Sequence, residues 1–220
     1  MDIVDGMMKM YHYYMFNKPF GCVTAARDER YPVVMDYFKE LKNPSLAPVG
    51  RLDLETEGLL LVTDDGRWNQ KMIHPSYKKE KRYEFIAMGV LTEEKRYSLE
   101  QGIWLKGAKE ITSKAKVEVL GCSTLAEILP SMHPEIQRKF CYNRPEHPIV
   151  IGSIVITEGK KRQIRRMLKA VGCCVIGLKR LSIDNIFLDE TLKPGQWKEI
   201  DLNDYVVSEE VVEKDAFYEG

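Results

Sequence analysis

Residues 47–66 read APVGRLDLETEGLLLVTDDG. A short apolar entry leads into a polar turn that holds Arg51 and Asp53. The apolar run 59–63 then predicts a buried strand, closed by the Asp64-Asp65-Gly66 turn. Upstream, the aromatic stretch 11–16 predicts a strand ended by Asn17, Lys18, Pro19 and Gly21. Pro32 opens a helix that carries Val33, Val34, Tyr37, Phe38 and Leu41 at helical spacing, and residues 42–45 close it. Downstream the pattern predicts a short helix at 67–73, a strand at 82–88, a helix at 92–101 and a strand at 114–120. It continues with a strand at 149–157, a helix at 161–171, strands within 175–183 and a last strand at 197–202. Residues 122–148, with Pro130, Pro134, Pro145 and Pro148, read as an excursion from the sheet. Strands follow one another both directly and across helices, without steady alternation. That order predicts an α+β fold on a mixed, largely antiparallel sheet flanked by helices.

The chain of 220 residues is 44% hydrophobic, enough for a substantial core in one domain spanning 1–220, or in two small lobes sharing an interface. The five cysteines form no CxxC pair and no cluster at metal-ligand spacing, so they read as reduced thiols of a cytosolic protein. Neither a leader-like N-terminus nor a run long enough to span a bilayer is present, which argues against secretion and membrane insertion. Basic and acidic residues balance at 33 each, but their distribution is uneven. Residues 160–169, KKRQIRRMLK, hold six basic residues and no acid, a second basic run KKEKR spans 78–82, and acid gathers in the tail 203–220. A basic working face is compatible with a neutral total.

On the helix 161–171, Ile164, Met167, Leu168 and Val171 recur at i, i+3, i+4 and i+7, with Arg162, Arg165, Arg166 and Lys169 opposite. Such a face is most often simply solvated; the functional alternative is a phosphate-binding surface. An Arg-x-Asp turn such as Arg51–Asp53 is, by itself, usually a structural ion pair or a turn cap. The four scattered histidines, the turn character of Asp64-Asp65-Gly66 and the absence of GxGxxG give no indication of a metal or a nucleotide cofactor.

Taken together, GRLDLETEGLLLVTDDG, then HPSYKKEKRYEF at 74–85 and EGKKRQIRRMLKAVG at 158–172, resemble in order and content the signature segments of the RsuA family of ribosomal pseudouridine synthases. FNKPFGCVTA at 16–25 resembles that family's first motif, and the resemblance extends over residues 11–202. It implies the pseudouridine synthase fold, with a catalytic cleft between two lobes and no cofactor. By similarity Asp53 is the catalytic aspartate, Tyr83 the tyrosine that packs against the target base, and Arg165 the arginine that pairs with the aspartate. Arg51, Lys81, Arg162, Arg166, Lys169 and Lys18 are the expected contacts to substrate RNA. Two departures stand out. Arg162-Gln163 replaces the family's frequent His-Gln, and about ten residues precede the first catalytic strand where the family usually carries a small RNA-binding domain. The chain thus resembles a single-domain branch, acting in the cytoplasm and as a monomer.

The residue types suit the chemistry. Converting uridine to pseudouridine breaks the bond between base and sugar, turns the base, and rejoins the sugar to a ring carbon that then loses its proton. A carboxylate can attack the sugar carbon or remove a sugar proton, and the residues leave both routes open. The uridine must first leave its stack, which calls for a basic surface that grips the flanking phosphates. Ribosomal RNA, that of the large subunit, is the expected substrate. A tRNA target, or an RNA-binding or ribosome-assembly role without catalysis, are the alternatives.

Overall fold

The computed structural model describes residues 3–4, 7–8 and 10–205. Strands β1 (Ile3–Val4) and β2 (Met7–Met8) pair with each other as a separate ribbon. Everything else is organised on one mixed sheet of nine strands.

Strand β3 (Tyr13–Lys18) begins and ends two residues later than the aromatic pattern suggests. Asn17 continues it because a late segment satisfies its polar groups, its N–H donating to Gln196 O and its side-chain amide to Leu192 O, and Lys18 continues it by pairing with Gly58 of β5. The helix expected after Pro32 forms as the 3₁₀ helix Val34–Leu41, which buries Val34 and Phe38. Then come β4 (Ala47–Pro48), β5 (Glu57–Thr63), α1 (Gly66–Ile73), β6 (Lys81–Met88) and α2 (Glu93–Gln101). Asp65 caps α1, accepting from the N–H groups of Arg67 and Trp68, and His74 ends it, as its position before Pro75 suggests.

Strand β7 (Lys116–Thr124) outruns its expected end at 120 through a register shift between Val119 and Gly121. The excursion therefore leaves the sheet three residues later than the prolines indicate. It contains α3 (Leu125–Ile128) and α4 (Pro134–Phe140) before β8 (Pro148–Ile156) returns to the sheet. Next are α5 (Gln163–Ala170), β9 (Cys174–Ile183), β10 (Ile186–Phe187) and β11 (Trp197–Glu199). Residues 200–202, expected as strand, pass into a 3₁₀ turn at Leu202–Tyr205, and most of the acidic tail lies outside the described residues.

The strand order is β11-β3-β5-β9-β6-β8-β7, with β4 beside β5 and β10 beside β9. All neighbours in it are antiparallel except β5 and β9, which meet in two parallel pairs, Glu57 with Lys179 and Gly58 with Arg180. This short seam joins the two halves of the sheet.

Leu60 and Val62 of β5 pack on one face with Phe16, Tyr83, Phe85, Leu178 and the apolar side of α5. Leu59 and Leu61 pack on the other with Met15, Met72 and Ile183. Both faces are covered, which is why the run GLLLV is uninterrupted rather than alternating. Each of those leucines contributes about 2 kcal/mol by leaving water. The excursion covers the far face of β6, β8 and β9, with Leu125 and Ile136 against Met88, Ile149 and Ile176.

Candidate active site

The loop before β5 carries Asp53, and hydrogen bonds hold it on three sides. Thr24 Oγ1 exchanges bonds with the backbone of Leu52, Gly21 N–H donates to Leu54 O, and Thr56 N–H closes a turn onto Asp53 O at 3.0 Å. Lys18 Nζ lies beneath, donating to Pro19 O and, at 3.5 Å, to Leu54 O. Lys18 is fully buried. Burial pushes its ammonium down to about 8, and the charges of Glu57 and Asp53 offset that only in part. A side chain with no exposed surface cannot present itself to RNA. In this structure Lys18, expected as an RNA contact, is enclosed with its ammonium directed at Leu54 O of the Asp53 loop.

Helix α5 supplies the facing cations. Its start at Gln163 leaves Arg162 as the preceding residue, in a left-handed conformation with φ 49°. Arg165 departs from the expected solvent-facing row. Only 11% of its side chain is exposed, and its guanidinium donates to Val175 O at 3.1 Å and Glu55 O at 2.9 Å. Burial lowers its pKa, while the carboxylates of Glu55 and Asp53 favour the charged form. Arg165 and Asp53, 112 positions apart in sequence (165 minus 53), thus act on each other electrostatically. Arg162, Arg165, Arg166 and Lys169 line one open groove together with Lys161. Within it Arg166 donates to Lys106 O at 2.7 Å, and Arg162 and Lys169 are exposed.

Tyr83 sits in the middle of the sheet on β6, opposite Arg180 of β9 and Ile154 of β8. The Arg180 guanidinium lies over the Tyr83 ring at 6.0 Å from its centre and donates from Nε to Leu59 O at 2.8 Å. Arg180 is 3% exposed, and its Nη2 has no hydrogen-bond partner among the described residues. Sequence reasoning missed it. The signal was present, because Leu178, Arg180 and Ser182 occupy successive inward positions of β9 and a cation there is anomalous. Lys81 shares the Tyr83 side of β6, but its ammonium folds back onto Lys79 O, with its pKa lowered by burial and by Arg180. Arg51 is exposed on the Asp53 loop.

Gly58 sits where these parts meet. Its φ is +96°, and a Cβ there would lie 2.2 Å from Arg180 O. No side chain fits the seam, so the Asp53 loop enters the sheet directly beside the strand that carries Arg180.

The sequence profile of the RNA pseudouridylate synthases matches residues 12–170. The chain belongs to that family. It is 33% identical over 186 residues to ribosomal small subunit pseudouridine synthase A of Haemophilus influenzae, covering 84% of this chain and 68% of the relative. It is 35% identical to ribosomal large subunit pseudouridine synthase B of Bacillus subtilis, over 76% of this chain and 59% of the relative. Among solved structures, a pseudouridylate synthase crystal structure aligns with TM-score 0.71 at 30% identity, covering 90% of this chain and 74% of that one. The mixed sheet is thus the pseudouridine synthase fold, and the enzyme is an RNA pseudouridine synthase, an isomerase. Among the described residues of the synthase no helix is long and apolar enough to cross a membrane.

Proposed function

We propose that this synthase isomerises a uridine of ribosomal RNA with Asp53 as the reacting carboxylate, Tyr83 against the base and Arg165 as the fixed cation. Residues 11–202 act as one catalytic unit in the cytoplasm. The observation that supports the assignment of Asp53 is the buried guanidinium of Arg165, fixed by the carbonyls of Val175 and of Glu55, two residues after Asp53 in the same loop. The ribosomal substrate is supported by the names of the relatives, which act on either ribosomal subunit.

The uridine flips out of its stack, its flanking phosphates held by Arg162, Arg166 and Lys169 along α5. The carboxylate of Asp53 either attacks the sugar carbon or removes a sugar proton as the bond from base nitrogen to sugar breaks. The detached uracil turns against the Tyr83 ring, the sugar carbon bonds to carbon five, and the proton of carbon five departs.

Proton release from carbon five tests this reading. The purified protein is incubated with protein-free ribosomal RNA and separately with tRNA, both tritiated at that carbon, beside an Asp53→Asn control. Release from ribosomal RNA by the wild type alone is expected. Release from tRNA alone reassigns the substrate, and release by Asp53→Asn removes Asp53 from its role.

A further inference from the structure

The excursion between β7 and β8 is docked on the loops of the active site. Lys139 of α4 lies 3.4 Å from the carboxylate of Glu55, two residues after Asp53, and Arg162 reaches the same carboxylate at 3.8 Å from the α5 groove. His133 stacks on Phe20 with ring centres 4.2 Å apart, and Gly21, next to Phe20, donates to Leu54 O of the Asp53 loop. Two basic walls, α5 and the excursion, thus flank that loop and meet at Glu55.

The excursion wall has the composition of a surface that meets RNA. Residues 137–145 read QRKFCYNRP, three basic residues and no acid. Arg138 and Arg144 are exposed and make no ion pair among the described residues, and Lys139 is 57% exposed. Phe140 packs against the cluster of Leu125 and Ile136, whereas Tyr142, two residues on, is 96% exposed. Backbone bonds fix the turn that presents it: Asn143 N–H donates to Phe140 O, His147 N–H to Arg144 O, and Ala126 N–H to Pro145 O, at 2.9–3.0 Å. An aromatic ring held out in water adds nothing to the core; it offers a flat face on which a base can stack.

We propose that residues 137–145 form a second RNA-contact surface, on which Arg138, Lys139 and Arg144 hold phosphates and the Tyr142 ring stacks on an unpaired base beside the target uridine. This rests on the proposal that the uridine reacts at Asp53. Three residues of chain reach at most about 11 Å, so Tyr142 stays close to the contact of Lys139 with Glu55. That contact is an exposed pair, weak in water, and Lys139 exchanges it for a phosphate when RNA arrives. The α5 groove holds the strand on one side of Asp53. The excursion holds it on the other and adds stacking, which requires the RNA to be unpaired there.

Tyr142→Ala, Tyr142→Trp and the triple variant Arg138→Gln, Lys139→Gln, Arg144→Gln test the proposal. Binding is titrated with a fluorescent single-stranded oligouridine and with duplex RNA of equal length, and tritium release is followed on ribosomal RNA. For Tyr142→Ala the expected result is oligouridine binding about tenfold weaker, with duplex binding within about twofold of wild type. Tyr142→Trp restores most of the loss. The triple variant lowers the slope of log K against log salt for the oligouridine by about 0.7 for each phosphate no longer neutralised. In tritium release kcat/KM of Tyr142→Ala falls about tenfold, chiefly through KM. Oligouridine binding by Tyr142→Ala within about twofold of wild type, an equal loss on duplex RNA, a loss confined to kcat, or a triple variant with the wild-type salt slope overturns the proposal. Weakened oligouridine binding by Tyr142→Ala in a protein whose wild type releases no tritium sustains the surface and overturns the catalytic reading instead.

Discussion

The guanidinium of Arg180 spans two strands, lying over the Tyr83 ring at 6.0 Å and donating to Leu59 O of β5 at 2.8 Å. One buried cation therefore connects the aromatic side of the site to the strand that leads out of the Asp53 loop. Arg180→Met keeps the volume and removes both interactions. Single-turnover release is expected to fall about tenfold or more, because misplacing a reacting group by an ångström has costs of that order. Stability changes by less than about 2 kcal/mol, since exchanging a buried charge for an apolar side chain is often close to neutral. Activity within twofold of wild type would show that Tyr83 needs no such support.

Gly58 is expected to tolerate no side chain. Its φ of +96° and the 2.2 Å approach of Arg180 O strain any Cβ, and the obstacle is backbone in a sheet rather than a mobile side chain. Gly58→Ala lowers the melting temperature by about 10 °C, corresponding to about 3 kcal/mol or more in a chain of this size. Gly21→Ala is the control. It also has positive φ, but nothing lies within 4 Å of its Cβ, so about 1 kcal/mol is expected. Equal losses at the two positions would show that the seam does not restrict Gly58.

Arg162 and Lys169 project from the groove of α5 and bear little on the core. Alanine at either position changes stability by no more than about 0.5 kcal/mol, since the ion pair of Arg162 with Glu55 is long, at 3.8 Å, and its arginine is exposed. RNA affinity falls, and the slope of log K against log salt shrinks by about 0.7–0.9 for each phosphate that the variant no longer neutralises. A slope equal to that of the wild type in binding titrations would remove these residues from the RNA surface.

Lys18 makes stability depend on pH in a particular window. Folded, its ammonium loses its proton near 8, against 10.5 for the free side chain. Between those values the unfolded chain binds more protons, so this group's contribution to stability rises with pH there and is flat on either side. Comparison with Lys18→Met isolates it. From pH 7 to 10.5 the wild type gains about 3 kcal/mol relative to the variant in denaturant unfolding. A difference independent of pH would mean that Lys18 stays charged in the fold.

The sheet elements were legible because their signals are local. The run GLLLV, the alternation of β6 and the divided faces of α5 fix strand or helix within a few residues, and the motifs carrying Asp53, Tyr83 and Arg165 are continuous in sequence. Boundaries slipped where tertiary partners extended an element. Asn17 joined β3 through bonds to residues 192–196 and Lys18 through its pairing with Gly58 of β5, and β7 ran into the excursion across a register shift. Helical spacing likewise placed Arg165 among solvated cations, because a period of 3.6 says which residues share a side but not what covers it.

What the sequence alone determined, then, is the set of elements, the buried character of β5 and the composition of the reactive loop and of the basic helix. The tertiary structure decided the charge relationships among them. Nothing local says that Glu55, rather than Asp53, lies 3.7 Å from Arg165, that Lys139 arrives from the excursion, or that Lys18, expected as an RNA contact, is buried with its ammonium toward Leu54 O of the Asp53 loop. The physical reason is range. Strand and helix preferences are settled over a few neighbouring residues, whereas which carboxylate a buried cation meets depends on a seam of two residue pairs between strands more than a hundred residues apart.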